Sequence, residues 1–144
     1  MFVLSWRMTQ YTTPPSEDDI LHLAEAALAA MPPALAHHVR NLAIMVEDIA
    51  DPETLSDLEI DNPWELTGLY RGVPLTERGS DETGQLPDTV YLYRDPILME
   101  WIESDEDLGR LVASVLIHEI AHHFGYTDDQ IDRIEEDLDR AQAH

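Results

Sequence analysis

The feature that most constrains this chain is an apolar run that leads directly into a histidine-rich motif. Residues 108–117 read LGRLVASVLI, and residues 118–125 continue as HEIAHHFG. An apolar run of this length predicts a helix buried in the core, and residues 104–107, SDED, read as the capping box that starts it. Because His118 and His122 are four residues apart, they point to the same side of that helix. The fold must therefore bury one helix and still leave two imidazoles side by side.

Two imidazoles held in this way can share one metal ion. Glu119 lies about 100° further round the helix, where it reaches a water molecule on the metal rather than the metal itself. Zinc lowers the pKa of a bound water toward 7, and a neighbouring carboxylate can accept the proton. The spacing predicts a hydrolytic zinc site. The alternative is a buried helix that carries these groups by chance, but burying three polar groups without partners is costly.

A third metal ligand is expected just after the motif. Gly125 lies three residues past His122, where helices often end on a residue in the left-handed conformation. A chain that turns there can bring Asp128 back toward the two histidines. This interpretation predicts Asp128 as the third ligand.

Two questions remain open: whether Asp128 has a different role, and whether another carboxylate is the third ligand. Residues 127–130, TDDQ, also read as a helix N-terminus, where the helix dipole favours acidic residues without any metal. Asp129 is the next candidate ligand. Glu135 and Glu136 could serve as a glutamate ligand on a later helix, although their separation from the motif is short. His123 is expected beside the pair, on a different side from the metal.

Composition limits the chemistry. The chain has no cysteine, so any metal must be held by nitrogen and oxygen, which suits a three-ligand catalytic zinc better than a closed structural site. Thirty acidic residues face eight basic ones, and the formal net charge is −22. A field of this sign repels phosphate, so neither a nucleic acid nor a membrane is expected as a partner.

The chain order predicts an α+β fold with one domain. Residues 1–15 are expected to form an irregular N-terminal extension and residues 16–144 a single domain. If Met8 is the true start, residues 1–7 are an unstructured extension. No signal peptide or membrane span is evident, which predicts a cytoplasmic protein. The expected helices are 16–31, 34–40, 52–58, 97–102, 105–123 and 127–141; the expected strands are 41–47, 66–71 and 89–94; residues 72–87 are expected to be a loop.

With the motif on the helix before the C-terminal segment, the chain resembles the small bacterial zincin-like metallopeptidases called minimal zincins. The resemblance covers residues 17–141. It rests above all on VLIHEIAHHFG at 115–125, with support from VED at 46–48, LYRGVPL at 69–75 and YLYR at 91–94. It implies an α+β zincin-like fold, a small twisted sheet of about three strands packed on the buried motif helix. It also implies Zn²⁺ bound by His118, His122 and Asp128, with Glu119 as general base, the Asp-zincin form of the motif. The chain has no methionine after residue 99, so the Met-turn of the related metzincins is missing.

These observations lead to two functional hypotheses. The first is a zinc-dependent metallopeptidase in which metal-activated water attacks the carbonyl of a peptide or protein substrate and Glu119 acts as general base. The strand at 89–94 would pair with the extended peptide if it lies at a sheet edge. The second is a non-catalytic binding or adaptor module with weak or structural metal occupancy. A metal-dependent ribonuclease is disfavoured by the charge.

Overall fold

A computed structural model describes residues 11–73 and 86–142. Within these ranges the chain forms six α-helices and one three-stranded sheet. The helices are α1 (Glu17–Ala29), α2 (Pro33–Ala36), α3 (Pro52–Asp57), α4 (Arg94–Ser104), α5 (Leu108–His123) and α6 (Asp128–Gln142). The strands are β1 (Leu42–Glu47), β2 (Gly68–Arg71) and β3 (Asp88–Tyr93), and short 3₁₀ helices lie at His37–Val39 and Pro63–Glu65. The predicted α+β class is confirmed.

Local sequence signals account for most helix boundaries. The expected capping box at Ser16 is confirmed: its side chain accepts from the backbone N–H of Asp19, and the Asp19 carboxylate accepts from the N–H of Ser16. The expected loop at 72–87 lies mostly outside the described residues, as do residues 1–10 of the expected N-terminal extension. The division into residues 1–15 and a domain at 16–144 stays a prediction.

The predicted start of the motif helix is wrong. Helix α4 runs to Ser104, ten residues past its first residue, and Asp105 ends it in the left-handed conformation, at φ 59°. Ser104 is therefore the end of one helix and cannot cap the next. Asp107 does so instead, because its side chain accepts from the backbone N–H of Arg110.

The sheet is mixed, with β3 in the middle. Its order is β1-β3-β2, with β1 parallel and β2 antiparallel to β3. Strand β3 therefore has neighbours on both sides, so the condition on which it was expected to pair with a peptide, a place at the sheet edge, is not met. Of the strands described, β1 and β2 form the edges. Val90 and Leu92 of β3 are fully buried, because helices pack over the face of the sheet that they occupy.

The core lies between one face of the sheet and α5. Nine residues of α5 are buried, and α1, α4 and α6 pack around it. This burial fixes α5 against the sheet and leaves its last turns, which carry the motif histidines, partly open to solvent. The expected packing of a small sheet on a buried motif helix is confirmed. Among the residues the structure describes, every helix is too short or too polar to cross a bilayer.

Candidate metal centre and catalytic carboxylate

Both motif histidines lie on the partly exposed last turns of α5. Their ring centroids are 5.7 Å apart, and the rings are nearly perpendicular. The helix ends as the sequence predicts, because Gly125 has φ +83°. The N–H of Gly125 bonds to the carbonyl of His122, and the N–H of Tyr126 to that of Ala121. This pair of bonds closes the helix and turns the chain back toward its own histidines.

The turn brings one carboxylate to each imidazole. Asp128 Oδ1 lies 3.1 Å from Nε2 of His122. Glu135 Oε2 lies 3.3 Å from Nε2 of His118. Two imidazole–carboxylate pairs therefore lie next to each other, built from α5 and the beginning and middle of α6.

The two carboxylates differ in how firmly they are held. The side chain of Glu135 is 18% exposed, whereas that of Asp128 is 90% exposed. Glu135 is fixed by α6, whose Ile131, Ile134 and Leu138 are buried against the rest of the core. Asp128 instead stands at the first residue of α6, next to the helix cap formed by Thr127 and Gln130. Asp128 can thus change its rotamer at little cost, whereas Glu135 is preorganised.

Glu119 lies on a different side of α5, against strand β2. Its carboxylate accepts a hydrogen bond from the backbone N–H of Tyr70. A Cβ at Gly68 would lie 2.9 Å from Val115 Cγ1 and 3.2 Å from Glu119 Cγ, so only glycine allows β2 to approach this closely. Burial raises the pKa of the Glu119 carboxyl, against the opposing effects of His122, the Tyr70 N–H and His118. A carboxylate with a raised pKa is a better proton acceptor near neutral pH.

His123, the last residue of α5, packs against strand β2. Its ring stacks on Tyr70 with centroids 3.8 Å apart, and the Tyr70 hydroxyl donates to Asp88 Oδ2 at 2.7 Å. The position beside the pair agrees with the sequence interpretation. The contact with Tyr70 explains how β2 is held over Glu119.

A second aromatic contact at the end of α5 was missed by the sequence interpretation. His38 stacks on Phe124 with centroids 4.1 Å apart, and the Tyr126 hydroxyl donates to the carbonyl of Ala34 at 2.8 Å. The contact joins residues far apart in the chain, so periodicity alone carries no signal for it.

The donor chemistry of this region fits zinc, which takes imidazole nitrogen and carboxylate oxygen. The side chains are arranged in pairs, however. Within residues 11–73 and 86–142, no three His, Asp or Glu side chains converge as a group ready to hold a metal. His118, His122, Asp128 and Glu135 thus supply suitable atoms, and a shared ion would require the side chains to turn toward one another.

Comparison with known proteins agrees with this architecture. No curated protein sequence matches the chain closely enough to count as a relative. The family model for zincin-like metallopeptidases matches residues 39–138, which include the whole sheet, α5 and most of α6. The chain belongs to the zincin-like metallopeptidase family.

Proposed function

We propose that this protein is a zinc-dependent peptidase in which Glu119 is the general base. The observation that carries the proposal is the placement of Glu119 one residue from His118 and under the edge strand β2, where the Tyr70 N–H orients its carboxylate. Membership in a metallopeptidase family supports a zinc ion as cofactor. His118, His122 and Asp128 would hold it, in the Asp-zincin manner.

Each residue then has a distinct role. Zinc, when bound, polarises a carbonyl and makes a water molecule more acidic. Glu119 accepts the proton of the attacking water and later delivers it to the leaving amine. Its orientation depends on Tyr70, and the orientation of Tyr70 depends on the stack with His123. Glu135 holds His118 through Nε2 until a metal competes for that nitrogen.

An extended substrate would lie along β2 rather than β3. Strand β2 is an edge of the sheet, and its residues Gly68 and Tyr70 face Glu119. Backbone pairing at a sheet edge binds peptides without strong dependence on sequence. This supports a peptide or an unfolded protein segment as the substrate.

The direct test is a digest of a broad peptide library, read by mass spectrometry. We expect new peptide termini with the zinc-loaded protein and none after removal of zinc by a chelator, with cleavage restored when zinc is returned. Cleavage that persists unchanged in the chelator would contradict the metal-dependent mechanism. Zinc-loaded protein that cleaves no peptide would favour the binding module instead.

The third ligand is tested by comparing acidic residues of α6. We expect Asp128→Ala to weaken zinc binding by more than about 100-fold, because a direct ligand should count for more than the outer partners whose loss typically costs about 10–100-fold. Glu135→Gln should weaken zinc binding by no more than about that smaller range. Isothermal titration with zinc measures both.

Asp129→Ala is the matched control, because it removes the same charge from the adjacent residue in the first turn of α6. Equal, small effects from Asp128→Ala and Asp129→Ala would mean that Asp128 only favours the helix terminus. A larger loss from Glu135→Gln than from Asp128→Ala would make glutamate the third ligand and reject the Asp-zincin assignment.

A further inference from the structure

A cavity of about 350 Å³ lies on the other face of the sheet from the motif helix. Side chains alternate between the two faces along a strand. In β3, Val90 and Leu92 face the core, so Tyr91 and Tyr93 face away from it. Glu47 of β1 is paired with Tyr93 and joins the two tyrosines in lining the cavity. The cavity is therefore separate from Glu119 and the histidines.

The lining of this cavity is strongly acidic. Four carboxylates and a single guanidinium line it. The guanidinium is that of Arg71, which donates to Thr54 Oγ1 at 3.1 Å. The N–H and hydroxyl of Thr54 hold the pKa of Asp51 below its usual value, so that carboxylate stays charged. The four carboxylates are those of Glu47, Asp51, Glu53 and Asp57.

Tyr93 supplies an independent observation. It lines the cavity, yet the residue is only 2% exposed. Its hydroxyl has no hydrogen-bond partner among the side chains and backbone groups of residues 11–73 and 86–142. A buried hydroxyl without a partner is costly, and such groups usually have a partner that the protein chain alone does not supply. Burial, and next the Glu47 carboxylate, raise the pKa of Tyr93 to about 12, so the hydroxyl stays protonated and its oxygen can accept from an N–H group.

The arrangement of the carboxylates selects the kind of cation. The four carboxylates lie around the cavity rather than around one point, and they surround a space of about 350 Å³, which is large enough for a small organic molecule. Two tyrosine rings in the same lining, parallel within 10°, offer faces that favour cations.

We propose that this cavity binds an organic cation with alkylammonium or alkylguanidinium groups, either a free diamine or the basic side chain of a peptide. The carboxylates would accept its N–H groups at the two ends, and the Tyr93 hydroxyl would gain the partner that it lacks. Such a site is distinct from peptide hydrolysis and does not require it.

The experiment uses agmatine, which carries one guanidinium and one ammonium group, and the neutral n-pentylurea of similar length. Isothermal titration should give saturable one-to-one binding of agmatine and none of n-pentylurea. In ¹H–¹⁵N spectra, agmatine should shift the amides of Glu47, Arg71 and α3 rather than those at the end of α5. Absence of saturable binding, equal binding of n-pentylurea, or shifts confined to the end of α5 would each overturn the proposal.

Three variants separate a built site from the general attraction of an acidic protein. Glu47→Gln should weaken agmatine binding about two- to fivefold, the upper part of the range for an exposed charge pair. Asp61→Asn removes the same charge from an exposed residue outside the cavity and should change affinity less than twofold. Equal losses from Glu47→Gln and Asp61→Asn would overturn the proposal in favour of diffuse attraction.

Tyr93→Phe removes only the hydroxyl. It should weaken agmatine binding several-fold without lowering Tm, since the group has no described partner to lose. Unchanged affinity would mean that the Tyr93 hydroxyl does not contact the ligand, and it would overturn the proposal. N-acetyl-arginine amide is compared with n-butylguanidine, which carries the same single charge: tighter binding of the amide favours a peptide side chain, and equal or weaker binding of the amide favours a free organic cation.

Discussion

Replacement of Glu119 by glutamine is expected to lower peptide hydrolysis by about 10²–10⁴-fold while zinc stays bound, the usual contribution of a general base. Glutamine has the same length and keeps a carbonyl oxygen that can accept from the Tyr70 N–H, so β2 should remain in place. It also fits under Gly68 as glutamate does, since the Cγ that lies close to Gly68 is common to both. What is lost is the ability to accept a proton. Initial rates on a peptide from the library digest, with zinc content determined on the same samples, measure the effect.

Glu136→Gln provides the control for this substitution. It makes the same carboxylate-to-amide change at an exposed residue of α6, where no contact with the histidines occurs. Its rate should equal that of the unaltered protein. If Glu119→Gln cleaves the peptide as fast as the control, Glu119 is not the base, and another group must accept the proton.

The motif helix could be predicted from the sequence because its signal is local. The apolar run at 108–117, the four-residue histidine spacing and the glycine at 125 each act within a few residues. The predicted start of α5 was wrong for a related reason. Residues 104–107 fit a capping box, but Ser104 can equally well be the last residue of the preceding helix, and only the packing of α4 decides between these two roles. Local patterns thus predicted the element and left its boundary to tertiary structure.

The Glu135 carboxylate beside His118 was harder to predict, although the sequence contains a signal for it. Residues Asp128, Ile131, Glu135 and Leu138 follow each other at spacings of three or four, so they share one face of α6. Ile131 and Leu138 are buried, which places Glu135 on the packed side of the helix. A charged residue on an apolar helix face is a better guide to a site than its separation from the motif, whose shortness had counted against Glu135.

The strand order, and the cavity on the sheet face away from the motif helix, had no comparable signal in the sequence. Strand β3 was recognised by composition, but whether it lies at the edge or in the centre depends on pairing with β1 and β2, which are distant in sequence. The cavity joins Glu47, Asp57 and Arg71 from three separate segments. Each of these residues alone looks like one more surface charge in a chain with a net charge of −22.

Replacement of either His118 or His122 by alanine is expected to abolish stoichiometric zinc binding and, with it, hydrolysis. Neither imidazole is a core residue: their side chains are 38% and 51% exposed. Removing one therefore opens no large cavity, and the fold should survive. Loss of one of the two imidazoles leaves one nitrogen ligand and one carboxylate, fewer than the three protein ligands of a catalytic zinc site. Metal content after dialysis, measured by mass spectrometry, and the far-UV circular dichroism spectrum test the two parts of the expectation.

His123→Ala is the matched control, because it removes an imidazole from the next position on the same helix. His123 stacks on Tyr70 and takes no part in the two imidazole–carboxylate pairs. This variant should keep one zinc per chain and lose some stability, since the stacking contact between His123 of α5 and Tyr70 of β2 is lost. If His118→Ala and His122→Ala keep their zinc, or if all three variants lose it equally, the metal does not bind at the paired histidines, and the role proposed for Glu119 loses its chemical basis.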